Sequence, residues 1–290
     1  MIKICTDIKQ AWQLWKKFSP QATLWDSWNT AQVFHDDVKE VYFLYSQQGV
    51  LPLCYEQEKK RYTFFGSSFL ENMKFWFPLE EFPDFFEKIP PSTVLFDLNG
   101  EEVDRLLHKY PEYKNCFKRH DHRYLLRAKD FSSYLLSFSK KHRKNLVYDL
   151  KALEKLNYTI TYGGVKNIPA LFDFNVLRFG SESDYHDHLF RDQVMKFCRY
   201  LQKKKYLLTV HVKLNKKVEG IMFAAVYNNV CYVINSGYNP TIKNLGKLLI
   251  AEMIKKAFSL DCKEIDFLVG DTGWKELWNL EKEKCYTFEK

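Results

Sequence analysis

Along the first part of the chain, apolar positions come in short runs separated by turn residues. Residues 41–45 (VYFLY) and 50–55 (VLPLCY) predict two strands joined at Gln47-Gln48-Gly49, and residues 61–65 (RYTFF) predict a third that stops at Gly66. A Pro-rich stretch around residues 82–91 interrupts the pattern. Residues 94–98 (VLFDL) then read as a buried strand, residues 101–109 as an amphipathic helix, and residues 124–127 as a closing strand.

The second part has a cleaner rhythm. Leu135, Phe138, Leu146, Leu150 and Leu153 predict one long helix over residues 132–156, followed by an alternating strand at 158–162 (YTITY) that ends at Gly163-Gly164. Pro169 suits a first helical turn, where its missing N–H is not needed, and Gly180 suits the end of that helix. Residues 185–204 predict another helix. Three strands follow, at 206–213, 218–227 and 230–236, the last two joined by Asn228-Asn229, residues that tolerate the left-handed backbone of a tight hairpin. Residues 246–258 form an amphipathic helix with Leu249, Met253 and Ala257 on one stripe. A short buried strand at 264–268 (EIDFL) and a helical turn or two at 274–280 complete the order β-α-α-β-β-β-α-β-α. An antiparallel middle followed by a helix and a parallel strand defines an α/β (α+β) class. No flexible linker divides the chain, and the change of pattern places a boundary near residue 130, giving domains 1–130 and 131–290.

Composition adds limits. The 290 residues are 46% hydrophobic and 17% aromatic, enough for a packed core, and the net charge of +8 suits either an acidic ligand or a Lys-rich surface. The seven cysteines are scattered and never form a C-x-x-C pair, so neither a zinc site nor a disulfide framework is expected. That pattern, the lack of a signal-peptide-like start and the lack of an apolar run of about 18 residues lead to the expectation of a cytoplasmic protein without membrane insertion. No metal is expected.

Three segments carry a family resemblance. Residues 139–156 (SKKHRKNLVYDLKALEKL) look like the basic helix opening the C-terminal domain of Fem-like and cellulose-biosynthesis-type (CelD-like) acetyltransferases. Residues 178–187 (RFGSESDYHD) are similar to their R-x-G-x-x-S segment, and residues 265–278 (IDFLVGDTGWKELW) resemble their closing signature. Residues 49–53 and 64–77 (FFGSSFLENMKFWF) agree more weakly. The resemblance implies two tandem GNAT-like domains, each a mixed, largely antiparallel sheet flanked by helices. It also implies an acyltransferase that moves an acyl group from acetyl-CoA or another acyl-CoA to a small-molecule or glycan-precursor acceptor, an amino sugar among them.

In that family the helix after the third antiparallel strand aims its N-terminus at the pyrophosphate of coenzyme A. Here the stretch is Ser236, Gly237 and then Lys243, Asn244, Leu245, Gly246 and Lys247. Only one glycine of the usual Q/R-x-x-G-x-G/A loop is present, so phosphate would rest on helix-start N–H groups and lysines. Tyr238 is a candidate to protonate the departing thiolate. Asp271 is a candidate base or substrate ligand and Lys275 a partner for an acidic group, since a spacing of four puts both on one helix face; the competing reading is that Asp271 or Thr272 caps that helix. Arg178, Ser183 and Trp274 are candidate acceptor-binding residues. His211 and Asp266 read more simply as core groups, and Lys140, Lys141, Arg143 and Lys144 as either a phosphate-contacting or a solvated face. Two alternatives stand beside this reading: a Fem-type transferase fed by aminoacyl-tRNA, and a non-catalytic GNAT-like module that binds RNA or another polyanion.

Overall fold

A computed structural model of the chain describes residues 1–35, 39–66, 69–271 and 273–290. Ser67 and Ser68 of the N-terminal motif, and the candidate cap Thr272, lie outside the described residues. The chain forms two compact units, residues 1–123 with 282–290, and residues 124–281. The change of unit falls at 123/124 rather than 130/131. The last nine residues return to the first unit, where the sequence pattern had assigned them to the second domain.

The first unit contains β1 (Lys3–Cys5), α1 (Ile8–Phe18), α2 (Trp28–Phe34), β2 (Lys39–Tyr45), β3 (Val50–Glu56), β4 (Arg61–Phe64), α3 (Phe82–Lys88), β5 (Val94–Asn99) and α4 (Gly100–Lys109). Strands β1 to β4 form an antiparallel sheet in sequence order. Helix α1, which strand-like patterning did not reveal, buries Trp15 against Trp28, Phe43, Phe65 and Trp76, with ring centroids 4.6 to 6.3 Å apart. Aromatic pairs at such distances add directional contact to a large buried area.

The chain leaves this unit within β6 (Phe117–Leu126) and builds the second from α5 (Phe131–Leu136), α6 (Lys140–Glu154), β7 (Thr159–Tyr162), α7 (Ile168–Phe179), α8 (His188–Lys203), β8 (Leu207–Leu214), β9 (Lys217–Tyr227), β10 (Val230–Tyr238), α9 (Leu245–Ser259) and β11 (Glu264–Val269). A 3-10 turn at Lys275–Trp278 precedes β12 (Glu281–Glu289), which pairs with β5. The predicted single helix over 132–156 is two helices. Asp130 caps α5 by accepting the N–H of Ser133, and Ser139 restarts the chain as α6 by accepting the N–H of His142. Serines near 137–139 favour such caps over a helix interior.

Sheet order in the second unit is β11-β10-β9-β8-β7, antiparallel except for the β10–β11 pair. Asn228 and Asn229 both take positive φ (49° and 61°), as the β9–β10 hairpin requires. Pro169 sits in the first turn of α7, and Gly180 closes it at φ 55°. Alternate residues of β8, β9 and β10, among them Val210, Met222, Ala224 and Val233, join α5, α6 and α9 in one apolar core. Helix α7 covers the other face against β9 and β10, and α8 packs there against β8.

Candidate functional site

Two departures from regular sheet open the second unit. The β10–β11 ladder runs only from Val230–Glu264 to Tyr232–Asp266, so β10 continues beyond it without that neighbour. In β10 the register with β9 shifts between Val233 and Asn235. Such a bulge inserts one residue and reverses which side chains face each way. Cys231 and Val233 face the α9 core before it; Ser236 and Tyr238 face that side after it. Asn235 and Gly237 are thereby sent to the opposite face. There Asn235 Nδ2 donates to Tyr185 Oη at 2.7 Å, and Gly237 lies so close to α7 that a Cβ would stand 2.4 Å from the Leu171 carbonyl oxygen.

On the Ser236 side lies a cavity of about 530 Å³. It is walled by the end of β10, the loop and first turn of α9, the inner face of α6 and the segment after β11. This volume is in the usual range for a small-molecule site. The loop is ordered by Asn239, whose side-chain oxygen accepts from the N–H and hydroxyl of Thr241 while its amide nitrogen donates to Glu219. Helix α9 then begins after Asn244, at φ 66°, with no side-chain cap, and the amides of Gly246 and Lys247 find no acceptor among the described residues. Open N–H groups and the helix dipole make that end favourable for an anion.

Cationic groups gather beside it. Lys243 is exposed on the cavity wall, and Lys247 is ion-paired to Asp149 of α6. Arg178 donates to Tyr238 Oη at 3.0 Å, and its guanidinium lies 5.2 Å from the Tyr238 ring centre. A Cβ on Gly246 would fall 2.8 Å from that ring, so glycine allows Tyr238 to lie across the helix start.

The sequence candidates therefore separate. Ser236, Tyr238, Lys243, Asn244, Gly246, Lys247, Arg178 and Trp274 line one cavity. Leu245 is instead a core residue, 1% exposed, and Gly237 serves the α7 contact. Ser183 is buried, donates to Asn175 Oδ1 at 2.7 Å and accepts from the Tyr185 N–H, so it holds the turn after α7 rather than facing the cavity.

Asp271 and Lys275 do not share a helix face, because the 3-10 turn begins only at Lys275. The Asp271 carboxylate accepts from the amides of Gly273, Lys275 and Glu276 at 2.8, 2.9 and 3.3 Å. Burial alone would raise its pKa, but these backbone N–H groups outweigh it and hold the value below the ordinary 3.8. The Lys275 ammonium is buried and donates to the carbonyls of Leu268 and Val269 at 3.0 and 3.1 Å. Both residues fasten the chain after β11. Neither lines the cavity.

Asp266 accepts from the Leu268 amide at 2.8 Å, and His211 lies in the sheet with Nδ1 3.3 Å from Asn167 Nδ2. Burial, with Lys213 nearby, holds His211 below the ordinary histidine pKa, so its ring is neutral at pH 7. The α6 lysines and Arg143 do not line the cavity; His142, Asn145 and Asp149 of the same helix do. These three went unnoticed, although with Leu146 they follow the helical spacing of one face.

Residues 140–276 match the family model described as the acetyltransferase (GNAT) domain, a match wholly inside the second unit. No curated protein matches the chain in sequence. Among solved structures, the chain is similar to a conserved protein of unknown function from Bacteroides thetaiotaomicron VPI-5482 (12% identity, 100% of each chain, TM-score 0.64). It is also similar to FemX (10% identity, 99% of this chain and 97% of that one, TM-score 0.63). A tandem GNAT protein from the clavulanic acid biosynthesis pathway is a further match (8% identity, 100% of this chain and 98% of that one, TM-score 0.53). The fold is that of tandem GNAT proteins, a mixed α/β architecture rich in antiparallel sheet. Among the described residues, no helix is long and apolar enough to cross a membrane.

Proposed function

We propose that the second unit is an acyltransferase that takes its acyl group from an acyl-CoA, with acetyl-CoA the simplest donor, and passes it to an amine or hydroxyl acceptor. One observation carries this reading: the uncapped start of α9 opens into the same cavity as Ser236, Tyr238 and Arg178. In this reading the amides of Gly246 and Lys247, with Lys243, hold the donor's phosphates. Beyond Tyr232, β10 runs on without β11 as a neighbour. With the Ser236 N–H already given to Asn235 Oδ1 at 2.7 Å, a donor to the thioester oxygen as it gains charge comes in this reading from the rest of that strand end.

The acceptor's nitrogen or oxygen attacks the thioester carbon directly. A C–N or C–O bond forms, the C–S bond breaks with its electron pair going to sulfur, and the acceptor's proton leaves to solvent. Tyr238 Oη accepts the Arg178 N–H, which leaves its own proton to donate to the thiolate and gives free coenzyme A. The tyrosine recovers a proton from water. With Asp271 spent on backbone amides, no carboxylate base is assigned.

Thermal unfolding in coenzyme A and acetyl-CoA tests the reading. At a ligand concentration 100 times Kd, binding adds about 2.7 kcal/mol, which raises Tm by roughly 5–10 °C for a domain of this size. The double variant Lys243→Ala, Lys247→Ala is expected to lose most of that shift. A flat response of the wild type to both ligands would overturn an acyl-CoA donor and favour aminoacyl-tRNA or a non-catalytic role.

A further inference from the structure

Building on the acyl-CoA reading, we propose that the acyl group this cavity serves is an apolar chain longer than acetyl, lodged against a wall of core side chains. The cavity is not polar throughout. Its exposed walls carry Lys243 and Arg178, whereas Leu146, Met222, Ile250 and Trp278 are each less than 8% exposed and belong to the hydrophobic core of the unit. The hollow therefore runs from the anion-favouring end of α9 into the core itself.

The order along α9 gives the direction. Ile250 is one turn beyond Gly246 on the same face, about 6 Å farther along the axis. Met222 stands opposite Ser236 in the β9–β10 register, so its side chain shares a face with Ser236 just past the bulge. A donor held by its phosphates at Gly246 and Lys247, with its thioester at the bulge, has its acyl end directed to these apolar groups. At the rim, Leu277 is an exposed leucine, 54% accessible, on the same cavity. A void lined by core side chains loses dispersion contacts and is costly unless something apolar fills it. A two-carbon acetyl group covers little of this wall.

The test is a chain-length series on the full-length protein. Free coenzyme A and its acetyl, butyryl, hexanoyl and octanoyl thioesters are titrated by calorimetry, and transfer to a generic amine is followed by thiol release. Affinity is expected to rise by about fourfold for each methylene buried, until the wall is covered. Ile250→Trp, which fills the hollow, is expected to remove the gain for octanoyl-CoA and keep the affinity for free coenzyme A. Circular dichroism checks that the variant folds, and the wild-type series stands without it. Equal affinity from acetyl to octanoyl, with coenzyme A still binding, overturns the long-chain proposal alone and assigns the wall to an apolar acceptor. Failure of every thioester and of coenzyme A to bind overturns the donor reading and the proposal with it.

Discussion

Two turns in the second unit look alike in sequence: residues 239–247, NPTIKNLGK, before α9, and residues 270–278, GDTGWKELW, after β11. Each follows a strand, holds polar and basic residues and starts a helical segment. Their amides have opposite fates. At the second turn Asp271 takes three backbone N–H groups and Lys275 takes two carbonyls, so the segment satisfies itself. At the first, the Asn244 side chain makes no cap and the amides of Gly246 and Lys247 find no acceptor among the described residues, at a helix start that lines the cavity. A helix start supplied with its own carboxylate has little left for a ligand; one without it does. The charged residues of the second turn, conspicuous in the sequence, are engaged by the backbone around them.

The comparison breaks most visibly at Tyr238. Tyr238→Phe is expected to lower kcat by about 100-fold, in the range for losing a general acid, with donor Kd unchanged. Gly246→Ala brings a Cβ within 2.8 Å of the Tyr238 ring and must displace it. We expect transfer to fall by about tenfold or more, as misplaced groups do, while Tm changes by a few degrees. Asn244→Asp puts an anion at the open helix start and makes the first turn resemble the second. Acyl-CoA affinity measured by calorimetry should fall by about fivefold.

Asp271→Ala should have the smallest effect on the donor, leaving its Kd unchanged, yet cost about 1 kcal/mol of stability in chemical unfolding. Because the folded pKa of Asp271 is depressed, its stabilising effect is present above the ordinary value of 3.8 and is lost as pH falls through the folded value. The stability gap between wild type and Asp271→Ala should therefore narrow below that pH. A variant that instead abolishes transfer at full stability would return Asp271 to the chemistry.

Much of the second unit was legible because its signals are local. Asn228-Asn229 set a hairpin, Pro169 and Gly180 bound a helix, and the apolar stripe of α9 gave its buried face. The break between α5 and α6 was missed because Leu135 and Phe138 continue a helical rhythm across Ser137 and Ser139, where capping wins. Helix α6 also shows the limit of periodicity. The spacing tells which residues share a face, but not that His142, Asn145 and Asp149 line the same cavity as the start of α9, where Asp149 pairs with Lys247, 98 positions away. Ser183 and Leu245 were misplaced for a related reason: a family motif gives an order along the chain and leaves side-chain direction open.

By itself the sequence determined the element order from β7 to β11, the antiparallel middle and the place where a helix begins after a strand, because turn chemistry and hydrophobic period act over a few residues. Tertiary structure decided which polar groups remain available. One inserted residue in β10 exchanged Asn235 and Gly237 for Ser236 and Tyr238 on the cavity face, and Asp271 was consumed by backbone amides. Both outcomes turn on hydrogen bonds and packing between segments brought together by folding, which no local pattern encodes.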